Sequence, residues 1–367
     1  MYIKELKLHN FRNFVDETFC FGKGLNVLYG GNAQGKTNTA EAIFYLCTGY
    51  SPRAGRDVQL IKNGETECLV TGTASGVYGE VEVKINVTKA DRKSVFVNGA
   101  KITRYGELMG NINAVFFNPG EMKLVKESPE DRRRFLNISL SEQSKNYFYA
   151  LQKYNKILEQ RNALLKDRDY ATVLDTLPVW DKTLASVGAK IIKARADFMK
   201  KLAPYAKEFH SYMTEGKEIL ELSAESGYKG EESEIEEKLS EGLTLSRERD
   251  MRLGFTCTGP HRDDIKIHLN GEDVKVYGSQ GQQRTVALSM KMAEVRVFED
   301  IFKDKPILIL DDVMSELDKK RQKRLITATN GIQTIVTATH IDGGLYKTPH
   351  KRFEIRNGGI YKEKDFE

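Results

Sequence analysis

Apolar and polar residues change their spacing twice along this chain, and the changes mark three stretches. Up to about residue 127 the pattern is one of strands and turns with an early helix. Val81, Val83, Ile85 and Val87 alternate with Glu82, Lys84 and Asn86, the period of a strand with one face buried. Val95-Phe96-Val97 runs into Asn98-Gly99, which predicts a tight hairpin because both central positions of such a turn need positive φ. Ile265, Ile267 and Leu269 lead into Asn270-Gly271 in the same way. Leu25 to Tyr29 reads as a strand, and Ala40, Ile43, Phe44 and Cys47 follow at helical spacing.

From residue 128 the period becomes helical. Ser128-Pro129-Glu130-Asp131 starts a helix, with a serine cap, proline at the first helical position and acids in the positive first turn. Leu140, Tyr147, Leu151, Tyr154, Leu158 and Leu165 form one heptad-like stripe, and Trp180, Leu184, Val187, Ile191, Ala194 and Phe198 form another. A break ending at Pro178 is expected between them. Two such helices predict a fold-back hairpin, an arm of ~28 residues reaching roughly 40 Å. Residues from about 214 to 252 are more polar, with acids from Glu231 to Glu237, and no element is assigned there. The last stretch returns to α/β, because Ile307 to Leu310 and Thr334 to Thr337 are short apolar or β-branched runs suited to buried parallel strands. The expected division is 1–127 and 255–367 as two halves of one head, with 128–254 inserted between them.

Composition narrows the classes. A length of 367 residues allows roughly two domains. With 40% hydrophobic and 30% charged residues, the chain can build a core and is not disordered. No apolar run approaches the ~20 residues of a membrane span, and the acid at Glu5 argues against a secretory signal. Cys20, Cys47, Cys68 and Cys257 have no paired spacing, so a reducing cytoplasm is expected. A net charge of +5 is too mild to announce nucleic-acid binding.

The chemistry begins at Gly30-Gly31-Asn32-Ala33-Gln34-Gly35-Lys36-Thr37, a full G-x-x-x-x-G-K-[ST] pattern between a strand and a helix. Its glycines let amide groups converge on phosphates at a helix N-terminus. Lys36 reaches the terminal phosphates of ATP, and the Thr37 hydroxyl is a ligand for Mg²⁺. Late in the chain the strand Ile307 to Leu310 delivers Asp311 and Asp312 to its carboxyl end, where ligands sit in open α/β sheets. Asp311 is suited to Mg²⁺ and Asp312 to activating water as a base. An Asp where many such ATPases carry Glu reaches about 1.5 Å less far, which predicts slow hydrolysis.

Gly278-Ser279-Gln280-Gly281-Gln282 opens a helix, and Ser279 and Gln282 stand in capping-box relation. Set about thirty residues before Asp311-Asp312, this segment resembles the signature of ABC-type ATPases. That resemblance implies that Ser279, Gly281 and Gln282 meet the γ-phosphate held by the other subunit of a head-to-tail dimer. It also makes Ser315-Glu316-Leu317-Asp318 a dimer-facing loop and His340 a switch histidine. The wider set resembles the RecF family of bacterial recombination-repair ATPases, relatives of SMC heads. The set comprises Leu8-His9-Asn10-Phe11-Arg12-Asn13-Phe14, Asn38, Ser128 to Arg133, Thr258-Gly259-Pro260-His261-Arg262-Asp263-Asp264, the signature, and Asp311 to Asp318.

The resemblance implies an ABC-ATPase-like α/β head, a mixed sheet with antiparallel hairpins, carrying a short helical-hairpin arm. It implies ATP and Mg²⁺ as cofactors, nucleotide contacts by Arg12, Asn13 and Asn38, and weak DNA-stimulated ATP hydrolysis. The implied partners are duplex, junction or gapped DNA, a second copy of the chain, RecR and RecO, and functionally the recombinase RecA, in the nucleoid and without a membrane. No glutamine matches the Mg²⁺-sensing Gln of such heads; Asn118-Pro119-Gly120-Glu121 occupies the comparable stretch. Arg132-Arg133-Arg134 with Lys123 and Lys126, and Arg53 with Arg56, are the basic clusters that suggest sequence-blind phosphate contacts. Three other readings are weighed: a transporter subunit, which the insertion between Gly35 and Ser279 opposes; a nuclease using His261, Asp263 and Asp264; and a structural SMC-like clamp.

Overall fold

The computed structural model describes residues 1–90, 93–167, 170–340 and 349–366. Two compact units emerge, one formed by Met1–Met122 with Lys291–Glu367 and the other by Lys123–Met290.

In the first unit one sheet is antiparallel. It takes β1 (Tyr2–His9), β2 (Asp16–Cys20), β4 (Glu67–Gly76), β5 (Gly79–Thr88), β6 (Ser94–Val97) and β7 (Ala100–Lys101), in the order β2-β1-β4-β5-β6-β7. The expected Asn98-Gly99 hairpin joins β6 to β7, with φ of 49° and 79°. The second sheet takes β3 (Leu25–Tyr29), β8 (Ala114–Phe117), β12 (Ile307–Asp311), β13 (Thr334–Ala338), β14 (His350–Arg356) and β15 (Gly359–Phe366), in the order β15-β14-β3-β13-β12-β8. Its strands from β14 to β8 run parallel, and β15 closes one edge antiparallel. All five residues of β12 and of β13 are buried, which is why their sequences read as unbroken apolar or β-branched runs rather than alternations. Helix α1 (Lys36–Thr48) packs against both sheets. Phe19 of β2 meets Phe14 and Phe353 with ring centroids 5.9 and 5.8 Å apart, so aromatic burial worth roughly 2 kcal/mol per ring helps join the layers.

The second unit is mainly helical. It holds α2 (Lys123–Lys126), α3 (Pro129–Gln143), α4 (Lys145–Leu164), α5 (Tyr170–Thr214), α6 (Glu232–Leu253) and α7 (Val274–Tyr277). The first eleven residues of α8 (Gln280–Phe302) belong to it as well. A small sheet, β11 (Glu272–Asp273), β10 (Asp264–Leu269) and β9 (Leu220–Glu225), lies in that order. The expected turn at Asn270-Gly271 is present with φ of 54° and 86°.

Three expectations need correction here. The stripe from Leu140 to Leu165 is not one helix: the chain breaks at Ser144, whose φ of −147° is extended and whose Oγ accepts from the amide of Tyr147. The break does not extend to Pro178, since α5 starts at Tyr170 and runs through both Pro178 and Pro204. Leu174, whose carbonyl the Pro178 ring displaces, is exposed as is Pro178, while Leu165, Val173 and Leu177 are buried together on the other side, so the lost bond falls on the solvent face where a bend is tolerated. The polar residues from 214 to 252 hold β9 and α6, whose buried Ile235, Leu239 and Leu243 make only a narrow apolar stripe.

Charged groups lock this unit. Arg161 of α4 is wholly buried and donates to Asp181 of α5 (2.7 Å), to Asp250 of α6 (2.8 Å) and to the Thr256 hydroxyl (2.8 Å). Arg132 of α3 makes a bidentate pair with Asp264, and Arg195 donates to the Pro260 carbonyl at 2.6 Å and to Asp263 at 3.3 Å. His261 lies between the Tyr154 hydroxyl (2.7 Å) and the Thr256 carbonyl (3.0 Å). The segment from Thr258 to Asp264 is thus tied into the packing of this unit, which weighs against the nuclease reading. Burial pushes the His261 imidazole down to about 4 from an ordinary 6.5. A depressed histidine stabilises fully above its unfolded value and loses that contribution as the pH falls through the window from 6.5 to 4, by up to about 3 kcal/mol. Denaturant midpoints measured across that window are expected to fall less in His261→Gln than in the wild-type chain.

Candidate functional site

Parallel strands bring several loops to one sheet edge. At the carboxyl end of β3 the chain turns at Gly30, φ 143°, where a Cβ would stand 2.4 Å from the Ile355 carbonyl oxygen. It re-enters a helix at Gly35, φ 124°, where a Cβ would meet the Phe14 ring at 2.8 Å. Only glycine fits either place, and both glycines of the phosphate-loop pattern are accounted for by this crowding. Helix α1 starts at Lys36 without a side-chain cap, so its first-turn amides are the kind that hold phosphate.

Lys36 is buried, and its Nζ donates to the Gly30 and Gly31 carbonyls at 2.8 and 2.6 Å. Burial lowers its pKa, against the pull of the Asp312 and Asp311 charges. The Thr37 hydroxyl donates to Asp311 Oδ1 at 2.9 Å, although 274 residues separate them. Thr337 of β13, paired with Asp311 in register, donates to the same oxygen at 2.7 Å and accepts from the Asp312 amide at 2.9 Å. Burial raises the Asp311 pKa, and the Thr337 and Thr37 hydroxyls oppose the rise. A hydroxyl and a carboxylate at the start of a phosphate loop are hard oxygen donors. They fit Mg²⁺, which takes one or two protein oxygens and fills its octahedron with phosphate and water. Asp312 is exposed, with φ 54°, and its carboxylate accepts from Ser315 Oγ at 3.1 Å.

The remaining predicted residues sort themselves by contact. Asn13 donates to the Gln34 carbonyl at 2.9 Å, and Asn38 donates to Asn13 Oδ1 at 2.7 Å. The turn between β14 and β15 grips the same residue, since the amides of Asn357 and Gly358 donate to Gln34. Gln34 in turn donates to the Asn32 carbonyl at 3.2 Å, and Ala33 carries a positive φ of 62°. Arg12 donates to Glu41 of α1 at 2.9 and 2.7 Å and to the Gln59 carbonyl at 3.0 Å. His340 lies exposed just past β13. Asn118 directly follows β8, whose Phe117 pairs with Leu310, which sets Asn118 level with Asp311 along the edge.

In the second unit the signature forms the capping box that its spacing predicts. The Ser279 amide donates to Gln282 Oε1 at 2.8 Å, and the Gln282 amide donates to Ser279 Oγ at 3.3 Å. Ser279 and Gln280 are exposed, and Gly281 and Gln282 partly so. A Cβ on Gly278 would lie 2.5 Å from the Val274 carbonyl, so that glycine lets α7 turn into the cap.

Sequence reasoning missed Thr337, Glu41 and the start of α9 (Lys319–Ala328). Thr337 carried one signal, a hydroxyl at the end of a β-branched run. Glu41 is fully buried, receives Arg12 and Ser51, and has Arg53 at 3.6 Å; a lone acid in a helix gives no such hint. In α9, Lys319-Lys320-Arg321-Gln322-Lys323-Arg324 is a longer basic run than Arg132 to Arg134. The expectation that Arg132 offers itself to phosphate is corrected, because its guanidinium is buried against Asp264. Arg53 likewise donates to Asn38 at 2.9 Å, beside the loop.

Comparison with known proteins gives one answer. Residues 2–348 match the RecF/RecN/SMC N-terminal domain family. The chain is 44% identical over 363 residues, 99% of its length and 98% of the relative's, to DNA replication and repair protein RecF of Lachnoclostridium phytofermentans. It is 41% identical over 92% of its length to the RecF of Acetivibrio thermocellus, covering 93% of that protein. A solved structure of the recombination mediator protein RecF-ATPrS in the RecFOR pathway superposes with a TM-score of 0.91 at 36% identity, covering 100% of this chain and 98% of the other. An SMC head bound to the C-terminal winged-helix domain of ScpA matches at 0.61 and 18% identity, a likeness of fold alone. The fold is therefore the expected ABC-ATPase-like head, and on sequence and structure together the chain belongs to the RecF family of the RecF/RecN/SMC proteins.

Proposed function

We propose that the chain is a DNA-binding ATPase switch of recombinational repair and replication restart. The observation that carries this reading is the bond between Thr37 and Asp311, because it draws the phosphate loop and the acidic strand into one oxygen-lined site next to Lys36. RecF relatives are named for DNA replication and repair, and solved RecF structures carry ATP or RecF-ATPrS in their names. In this reading Lys36 leaves the Gly30 and Gly31 carbonyls for the β- and γ-phosphates of ATP. Thr37 and Asp311 would hold Mg²⁺, which would supply neutralisation of phosphate charge. Asp312 orients or deprotonates the attacking water, and its short side chain keeps turnover slow. Ser279 and the amides behind it bind the γ-phosphate of a second copy, so ATP closes a head-to-tail dimer on DNA, and hydrolysis reopens it.

DNA contact in this proposal is by phosphate, through basic faces such as that of α9, without sequence readout. The closed dimer helps load the recombinase RecA at gaps together with RecR and RecO, in the cytoplasm at the nucleoid. Gel filtration with and without ATP, followed by binding to duplex and gapped DNA at two salt concentrations, tests it. The expected result is an ATP-dependent dimer whose DNA affinity falls by roughly 10³ or more between about 50 and 200 mM salt. A chain that stays monomeric with ATP, or binds DNA indifferently to salt, contradicts it.

A further inference from the structure

We propose that Glu218 and His210 are positioning residues for the signature serine, an inference that rests on Ser279 being a γ-phosphate ligand. The long helix α5 ends at Thr214 and is closed by two consecutive left-handed residues, Glu215 at φ 60° and Gly216 at φ 73°. The Gly216 amide donates to the Ser211 carbonyl at 2.8 Å and the Lys217 amide to the Thr214 carbonyl at 3.2 Å, a Schellman-type stop that folds the chain back over the last turn. Glu218 thereby reaches His210, with 3.0 Å between its Oε2 and the ring Nε2. His210 is fully buried, and its Nδ1 lies 3.2 Å from the Ser289 hydroxyl of α8. Ser289 is itself tied to the helix, donating to the Thr285 carbonyl at 2.6 Å.

The other oxygen of Glu218 accepts from Gln282 Nε2 at 3.0 Å. A carboxamide has two unlike ends, and this contact decides which way it points. With the NH₂ on the carboxylate, the amide oxygen faces the Ser279 amide and accepts from it at 2.8 Å. Flipped, the same side chain would set oxygen against carboxylate and NH₂ against N–H, two repulsive contacts at once. Glu218 therefore selects the rotamer that pins Ser279. Ser279 Oγ accepts from the Gln282 amide, and no acceptor among the described residues takes its hydroxyl hydrogen. That hydrogen is the donor a phosphate oxygen needs. The relay runs from the end of α5 to the signature, so the orientation of the serine depends on a helix far from it in sequence.

An ordinary capping role and this positioning role predict different outcomes for one substitution. Ser-x-x-Glu is as good a capping box as Ser-x-x-Gln, so Gln282→Glu is harmless if Gln282 only caps. If Glu218 positions it, Gln282→Glu sets two carboxylates face to face. In the full-length chain, Gln282→Glu is expected to weaken ATP-dependent dimerisation by roughly 10- to 100-fold, the range of a hydrogen bond to a charged group. Adding Glu218→Gln to the same chain is expected to restore it to within about threefold, because the exchanged pair again matches donor to acceptor. Glu218→Ala is expected to speed amide hydrogen exchange at Ser279 by about tenfold or more, while ATP binding to a single chain stays unchanged. Gln282→Glu dimerising like the wild type, or Ser279 exchange unmoved in Glu218→Ala, overturns the inference. If the wild-type chain forms no ATP-dependent dimer, the proposed function fails by itself. Exchange at Ser279, slowed again by the paired exchange relative to Gln282→Glu, then still decides the positioning role.

Discussion

Lys36→Ala is expected to lower ATP turnover by at least about a hundredfold, the scale of removing one preorganised charge contact from a phosphoryl-transfer site. The Lys36 ammonium is buried and caps the carbonyls of Gly30 and Gly31, so its loss strips the loop of the cation that phosphate would meet. It also leaves Asp311 and Asp312, the two charges that hold the ammonium protonated against burial, facing a triphosphate without compensation. Lys36→Arg is expected to fail nearly as badly, because a planar fork does not fit where a compact ammonium sits between two backbone oxygens. Both variants keep the core of α1 and should fold. Steady-state hydrolysis with a parallel measurement of nucleotide affinity checks this, and turnover within about threefold of the wild type in Lys36→Ala would remove the lysine from the chemistry.

Arg161→Ala is expected to destabilise the helical unit by about 3–5 kcal/mol. Arg161 ties α4 to both α5 and α6 through charge: Asp181 and Asp250 reach the same guanidinium, and both acids are buried. Asp181 keeps Arg247 at 2.7 Å, but Asp250 is left with neutral donors, the Cys257 amide at 2.9 Å and the Ser246 hydroxyl at 3.3 Å. An uncompensated buried carboxylate is far costlier than the absence of the whole pair. Replacing Arg161 with Met together with Asp250→Asn should therefore recover much of the loss. Denaturant unfolding of the three chains measures this directly, and a loss under about 1 kcal/mol for Arg161→Ala would show that the triad contributes little.

Much of the fold was legible because the sequence signals were local. Strand alternation in β5, the two Asn-Gly turns and the Ser128-Pro129 helix start each depend on neighbours a few residues away. The phosphate loop was legible for the same reason: its glycines answer a steric demand that recurs wherever a backbone wraps a phosphate. Helix limits were less legible. Pro178 sits inside α5 because its missing hydrogen bond falls on an exposed face, and Ser144 interrupts a stripe whose spacing continues across it. Those outcomes depend on which side of the helix faces water, which the local pattern does not carry.

What the chain determines by itself, then, is the set of chemical groups and the short segments that present them: Lys36 and Thr37 after a strand, Asp311 and Asp312 at the end of another, Ser279 at a helix start. The tertiary structure alone decided which of these meet. Strand register set Thr337 beside Asp311, sheet order brought Thr37 to an acid 274 residues away, and packing gave Arg12 and Arg132 the partners Glu41 and Asp264. The physical reason is range. Sterics and hydrogen bonding to near neighbours are written in adjacent residues, whereas the partner of a buried charge is chosen by whichever distant element excludes the water around it.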